Sequence, residues 1–271
     1  MLVIANNITT RTPMVNHLFR QSEQSHWDPE STAAVELKRL FRECADAGAD
    51  VIEINTQQHY DQPEVMEFGI TLAQQASAKP LCLSTNNPES ADAGLKLCKR
   101  PPLLNYLSTD AEKLRRILPM VARRKAEMVL LVTEPGEAAD AETMLKKAAI
   151  LIGAANEAGV PNERLLVDPG LVHITSDAGQ RHFVEAMEFL KALPGTFEPA
   201  VRSTCWLSGV SAGAPRTLRP VLESAALSML SASGLSSVFI NVSSRENRRL
   251  LRLMKIFQNE AVYSDHDAEL Y

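Results

Sequence analysis

ERLLVDPG, residues 163–170, is the stretch on which the reading of the fold turns. Its core, Leu165 to Asp168, is a short run that stays apolar until its last member, and Pro169-Gly170 ends it. Upstream, Ala138 to Ala158 carries apolar residues at helical spacing, and Gly159 follows where a helix-ending glycine is expected. A run this short and continuously apolar suits a strand covered on both faces, as in a parallel sheet.

The same unit recurs along the chain. Comparable runs lie at Leu2 to Ala5, Val51 to Asn55, Leu81 to Thr85, Leu103 to Leu107, Met128 to Thr133, Thr204 to Ser208 and Val238 to Val242. Amphipathic segments follow at Glu30 to Ala47, Pro63 to Ala78, Pro88 to Lys99, Asp110 to Arg124, Ser176 to Ala192, Arg216 to Ala232 and Ser244 to Gln258. Strict β-then-α alternation requires right-handed parallel crossovers, and eight units in 271 residues fit a closed barrel better than an open sheet. The expected fold is therefore α/β, a single (β/α)8 TIM barrel spanning residues 1–271 as one domain. The turn after the first run, ANNITTRT, has no glycine, which argues against a dinucleotide-binding fold.

Composition narrows the function. Acidic residues number 33 against 28 basic ones, a net charge of -5 with no basic stripe, so no nucleic-acid partner is expected. No segment approaches the apolar length of a membrane span and the start lacks a signal-peptide pattern, so a cytoplasmic protein without a membrane partner is expected. Four cysteines without CxxC spacing and six scattered histidines give no expectation of a metal site.

In a barrel, the C-terminal strand ends build the site. Polar residues stand there consistently: Asn6 and Asn7; Glu53 and Asn55; Ser84, Thr85, Asn86 and Asn87; Asn105; Asp168; Ser208; and Asn241. Amides with one or two carboxylates suit a neutral heterocycle rich in donors and acceptors. For Asn6, Asn86 or Asn87 helix capping is an equally good account. Asp168, between an apolar strand and Pro169-Gly170, needs a specific partner. Cys205 and Trp206 read as core or wall packing, SRENRRLLRL as a solvated helix face, and HWDPES, residues 26–31, as part of a long first loop that serves as a lid or a partner contact.

The segments MLVIANNIT, GADVIEIN, KPLCLSTN, AGLKLCK, PPLLNYLSTDAEKL, ERLLVDP, TCWLSGVS and EAVYSD, in this order, resemble the pterin-binding barrel family, most closely the methyltetrahydrofolate:corrinoid methyltransferases. The resemblance implies that Asp168 and Asn105 hydrogen-bond the pterin edge. It further implies tetrahydrofolate or methyltetrahydrofolate as substrate, and cobalamin carried by a separate corrinoid protein docking on the barrel mouth, since no DxHxxG-type cobalamin motif is present. Homodimers are common among such proteins, and one is expected here.

Two positions depart from the family pattern. Ser84 stands where the family has a further pterin-binding aspartate, with Glu53 or Asn87 as compensating groups, and Gly209 stands where the corrinoid enzymes place an asparagine near the reacting N5. Loss of that donor disfavours activation of a methylated N5, and not attack by a neutral N5 on a methylcorrinoid. The expected activity is therefore methylation of tetrahydrofolate within a corrinoid-dependent demethylase system, with no catalytic side chain assigned. Ser208, Gly209 and Asn241 complete the expected pterin contacts, and Arg216 and Arg219 are candidates for the folate tail or the partner. A dihydropteroate synthase-like enzyme shares VDPG but expects a lysine and an arginine after strand seven, where LSGVSAGAP has none. The remaining alternatives are a non-catalytic pterin-binding paralogue and an unrelated barrel using Glu53, Asp168 and His173 as an acid-base set.

Overall fold

A computed structural model describes residues 1–57, 60–134 and 136–264; Asp265, which ends the tail motif, lies outside them. Eight parallel strands, β1 (Leu2–Thr9), β2 (Val51–Asn55), β3 (Leu81–Ser84), β4 (Leu103–Leu107), β5 (Glu127–Leu131), β6 (Leu165–Asp168), β7 (Arg202–Ser203) and β8 (Ser237–Ile240), form one sheet in the order β7-β6-β5-β4-β3-β2-β1-β8. A parallel bridge between Trp206 and Phe239 joins its two edges, with Phe239 N donating to Cys205 O at 2.8 Å. Ser203 and Ser236 secure the other end of this seam, each backbone N–H donating to the other's hydroxyl, at 2.8 and 3.0 Å. The eight-unit barrel read from the sequence is the observed fold.

Helices α1 (Pro13–Gln24), α2 (Thr32–Asp46), α3 (Pro63–Ala76), α4 (Pro88–Leu97), α5 (Ala111–Arg124), α6 (Ala141–Glu157), α7 (Gly179–Thr196), α8 (Ser208–Ser211), α9 (Arg219–Ala232) and α10 (Arg245–Phe257) connect the strands. The expected Asp110 cap is present, its carboxylate accepting from Glu112 N and Lys113 N. Gly48 and Gly159 adopt φ of +91° and +90° just past α2 and α6.

Two expectations need correction. The seventh strand is Arg202–Ser203, not Thr204 to Ser208: only Trp206 of the apolar run bridges to β8, and Ser208 begins α8. The first connection is not one long loop, because α1 occupies Pro13–Gln24 with Pro13 in its first turn, where a missing N–H costs nothing. Within HWDPES, Trp27 packs on Phe68 of α3 with ring centroids 5.2 Å apart.

Strand periodicity sets what points inward. Val51, Cys82, Leu103, Val129, Leu166 and Phe239 form a closed apolar cluster that plugs the barrel, whereas neighbours such as Ile52, Leu83, Leu104 and Val167 join the larger core beneath the helices. Two residues farther along each strand, the inward positions become Glu53, Ser84, Asn105 and Asp168, on top of the plug.

Candidate active site

Register brings the first three of these side chains into one chain of hydrogen bonds. Asn55 pairs with Ser84 and Ser84 with Asn105 across the sheet. The Ser84 hydroxyl donates to Glu53 Oε1 and accepts from Asn105 Nδ2 at 2.8 Å, and Asn55 Nδ2 also donates to Glu53 Oε1 at 3.1 Å. With Nδ2 committed to Ser84, Asn105 keeps Oδ1 as an acceptor. Glu53 is fully buried, its Oε2 has no partner among the described residues, and burial pushes its pKa to about 7 against the lowering effect of the Ser84 and Asn55 bonds.

Asp168 is fixed by the turn that follows it. Gly170 N donates to Asp168 Oδ1 at 2.7 Å, with Gly170 at φ +69°, and a Cβ there would collide with Thr133 Oγ1. Only glycine satisfies both the backbone and the space. Thr133 in turn donates to Pro169 O at 2.9 Å. Gly170 O accepts from His182 Nε2 at 2.7 Å, and His182 Nδ1 lies 3.1 Å from both Ala139 N and Ala139 O. Asp168 is 5% exposed and burial lifts its pKa to about 7.

Asp168 and Asn105 line a cavity of about 320 Å³ together with Arg11, Gln57, Tyr106 and Trp206. Its size is within the usual range for small-ligand sites. The Arg11 guanidinium sits 5.3 Å from the Trp206 ring centroid, which itself packs at 5.4 Å on Phe239 of the plug. Burial raises the Tyr106 pKa, and the nearby Glu134 carboxylate raises it further. The cavity floor thus offers a carboxylate and an amide oxygen, and its wall an aromatic ring and a cation.

A family profile described as pterin binding enzyme matches residues 27–241. The chain belongs to this pterin-binding enzyme family. It is 21% identical over 251 residues to a methylcorrinoid:tetrahydrofolate methyltransferase of Eubacterium limosum, covering 91% of this chain and 87% of that protein. Among solved structures it resembles the dihydropteroate synthase from Xanthomonas albilineans in complex with 7,8-dihydropteroate, with a TM-score of 0.66 and 18% identity, covering 95% of this chain and 93% of that one. This second likeness is one of fold.

Within this pterin-binding barrel the residues singled out from sequence separate into three groups. Asp168, Asn105, Ser208 and Gly209 line the cavity. Glu53 and Ser84 lie directly behind Asn105, while Asn87 caps α4 by accepting from Glu89 N at 2.9 Å and donates to Asp61 O at 2.8 Å. Asn241, Arg216 and Arg219 line a second, adjoining cavity, where Asn7 Nδ2 donates to Asn241 Oδ1 at 2.6 Å. His173 is exposed and approaches Thr175 Oγ1 at 3.2 Å, outside the lining of the Asp168 cavity. Arg11, Gln57 and Tyr106 were not singled out from sequence. A cation two residues beyond the polar end of β1 was the available signal for Arg11.

Proposed function

We propose that this chain is a methyltransferase that moves a methyl group between a corrinoid protein and tetrahydrofolate N5, acting as the tetrahydrofolate-methylating component of a corrinoid-dependent demethylase system. The observation that carries the reading is the pairing of a buried Asp168 with an oriented Asn105 in one cavity of a pterin-binding barrel. Asp168 accepts from the pterin 2-amino group and N3-H, and Asn105 meets the neighbouring ring nitrogens. A ligand without those donors would leave a buried carboxylate unpaired, which is strongly disfavoured. Ser84 and Glu53 hold Asn105, and Ser208 and Gly209 border the reacting edge.

The transfer needs positioning and exclusion of water more than acid catalysis. The N5 lone pair forms the new N–CH3 bond while the cobalt–carbon bond breaks. Its electron pair stays on cobalt, giving Co(I), and the N5 proton passes to water. The relative from Eubacterium limosum is named for this direction. The corrinoid protein is a separate chain docking over the barrel mouth. The dihydropteroate synthase-like reading, favoured by VDPG, requires cations for a diphosphate leaving group, and Arg11 is the cation lining this cavity among the described residues.

The test is calorimetry with tetrahydrofolate followed by single-turnover transfer from free methylcobalamin. Binding with tetrahydrofolate-dependent appearance of Co(I) is expected. Binding without transfer would favour a non-catalytic pterin protein, condensation of a pterin diphosphate with p-aminobenzoate would favour the synthase, and absence of binding would overturn the reading.

A further inference from the structure

The second cavity, about 850 Å³, adjoins the first and shares Arg11, Trp206 and Ser208 with it. A ligand seated on Asp168 can therefore pass over the Trp206 edge into it. Three arginines line it, Arg11, Arg216 and Arg219, against one carboxylate, Glu223, which is already engaged by the Ser211 hydroxyl at 2.5 Å. Among the described residues none of the three arginines has an ion-pair partner.

The first turns of α1 and α9 also line this cavity, and neither helix has a side-chain N-cap. Their partial positive charge adds to that of the arginines. An independent feature is Asn247, 2% exposed and lining the same cavity, whose Oδ1 accepts no hydrogen bond from the described residues while its Nδ2 donates to Asn241 O at 3.0 Å. The site therefore combines surplus positive charge with a buried acceptor that lacks a donor.

We infer that the second cavity binds the oligo-γ-glutamate tail of tetrahydrofolate. Such a tail carries several carboxylates along one chain, one per residue, for the three arginines, which a simple inorganic anion lacks. The inference rests on the tetrahydrofolate reading and adds a subsite that selects chain length. Arginines at an exposed rim act through screened charge, so the selectivity weakens with salt.

The experiment is titration of the full chain with tetrahydrofolate bearing one or five glutamates, at low and high salt, for the wild type and for Arg216→Ala/Arg219→Ala, with thermal unfolding as a check on folding. The pentaglutamate is expected to bind about tenfold tighter than the monoglutamate in the wild type, as for one well-placed charge-assisted contact. The ratio should fall toward one in the double variant and at high salt. Equal affinities in the wild type, or a ratio that survives in the double variant, would overturn the subsite. Failure of both forms to bind would sink the tetrahydrofolate reading and the subsite with it.

Discussion

Asn105 Nδ2 donates to the Ser84 hydroxyl at 2.8 Å, and that hydroxyl donates onward to the buried Glu53. The relationship suits a serine at residue 84, and not the aspartate that the family resemblance leads one to expect there. A second carboxylate at residue 84 would face Glu53 across one hydrogen bond, and two adjacent buried carboxylates cannot both ionise. Serine instead passes the orientation of Glu53 on to Asn105.

Ser84→Ala removes this link. Asn105 Nδ2 then loses its Ser84 partner and Glu53 loses a donor in a fully buried site. We expect tetrahydrofolate affinity to drop about tenfold, in line with one lost buried hydrogen bond, with stability falling by about 1–2 kcal/mol. Ser84→Thr, which keeps the hydroxyl, should recover most of the affinity. Calorimetry on the two variants decides the matter, and an Ala variant that binds as tightly as the wild type contradicts the relay.

Asp168 gives a pH signature. Its folded pKa is raised to about 7 by burial, above that of an unfolded carboxylate, so the stability it contributes is complete below the unfolded pKa and is lost as pH rises through about 7. Asp168→Asn carries no such loss. The difference in unfolding free energy, variant minus wild type, should grow in favour of the variant between pH 4 and pH 8, by on the order of 3 kcal/mol. Under the proposed pterin contact binding has the opposite slope: the carboxylate form is the one that would accept the pterin N–H groups, so wild-type affinity should climb as pH rises to about 7 and then level off. Denaturant titrations and calorimetry across this range give both slopes, and a pH-independent stability difference argues against the buried carboxylate.

The parts of the fold legible in sequence were those governed by periodicity and local stop signals. Seven strands lie where apolar runs predicted them, and Gly48 and Gly159 end their helices as expected. The seventh did not, because TCWLS is apolar for a different reason: Trp206 closes the barrel seam and walls the cavity, while the strand itself, Arg202–Ser203, carries no apolar signature. Asp168 and Asn105 stood out because one ends an apolar strand and the other interrupts one. Arg11 was not, since its role depends on the Trp206 ring, distant in sequence, and Asn241 and Asn87 are amides at strand ends that serve neighbouring backbone and side chains.

Trp206 supplies an optical readout. It lines the cavity, whereas Trp27 packs on Phe68 outside it. Tetrahydrofolate should quench tryptophan emission in Trp27→Phe and leave it nearly unchanged in Trp206→Phe. Quenching confined to Trp206→Phe would locate the ligand elsewhere.

Gly209 tests the direction of transfer. A Cβ at this position would lie 3.0 Å from Leu171 O and 3.4 Å from Leu171 Cβ, so a side chain fits only if the 171 backbone yields by a few tenths of an ångström. We expect Gly209→Ala to cost about 1 kcal/mol, as overpacking of this kind does. Gly209→Asn carries the same cost but places an amide donor at the edge where N5 would react in the proposed transfer. Such a donor stabilises charge on N5, and so accelerates methyl loss from bound methyltetrahydrofolate to free cob(I)alamin, by about tenfold or more for a well-placed donor. The overall equilibrium is not the enzyme's to change. The shift is therefore sought in single-turnover rates of the bound reactants, measured in both directions for the wild type, the Ala variant and the Asn variant. The Asn variant should gain in the direction of cob(I)alamin methylation relative to the Ala variant. Equal rates in the two variants would mean that the missing amide has no bearing on which way the methyl group moves.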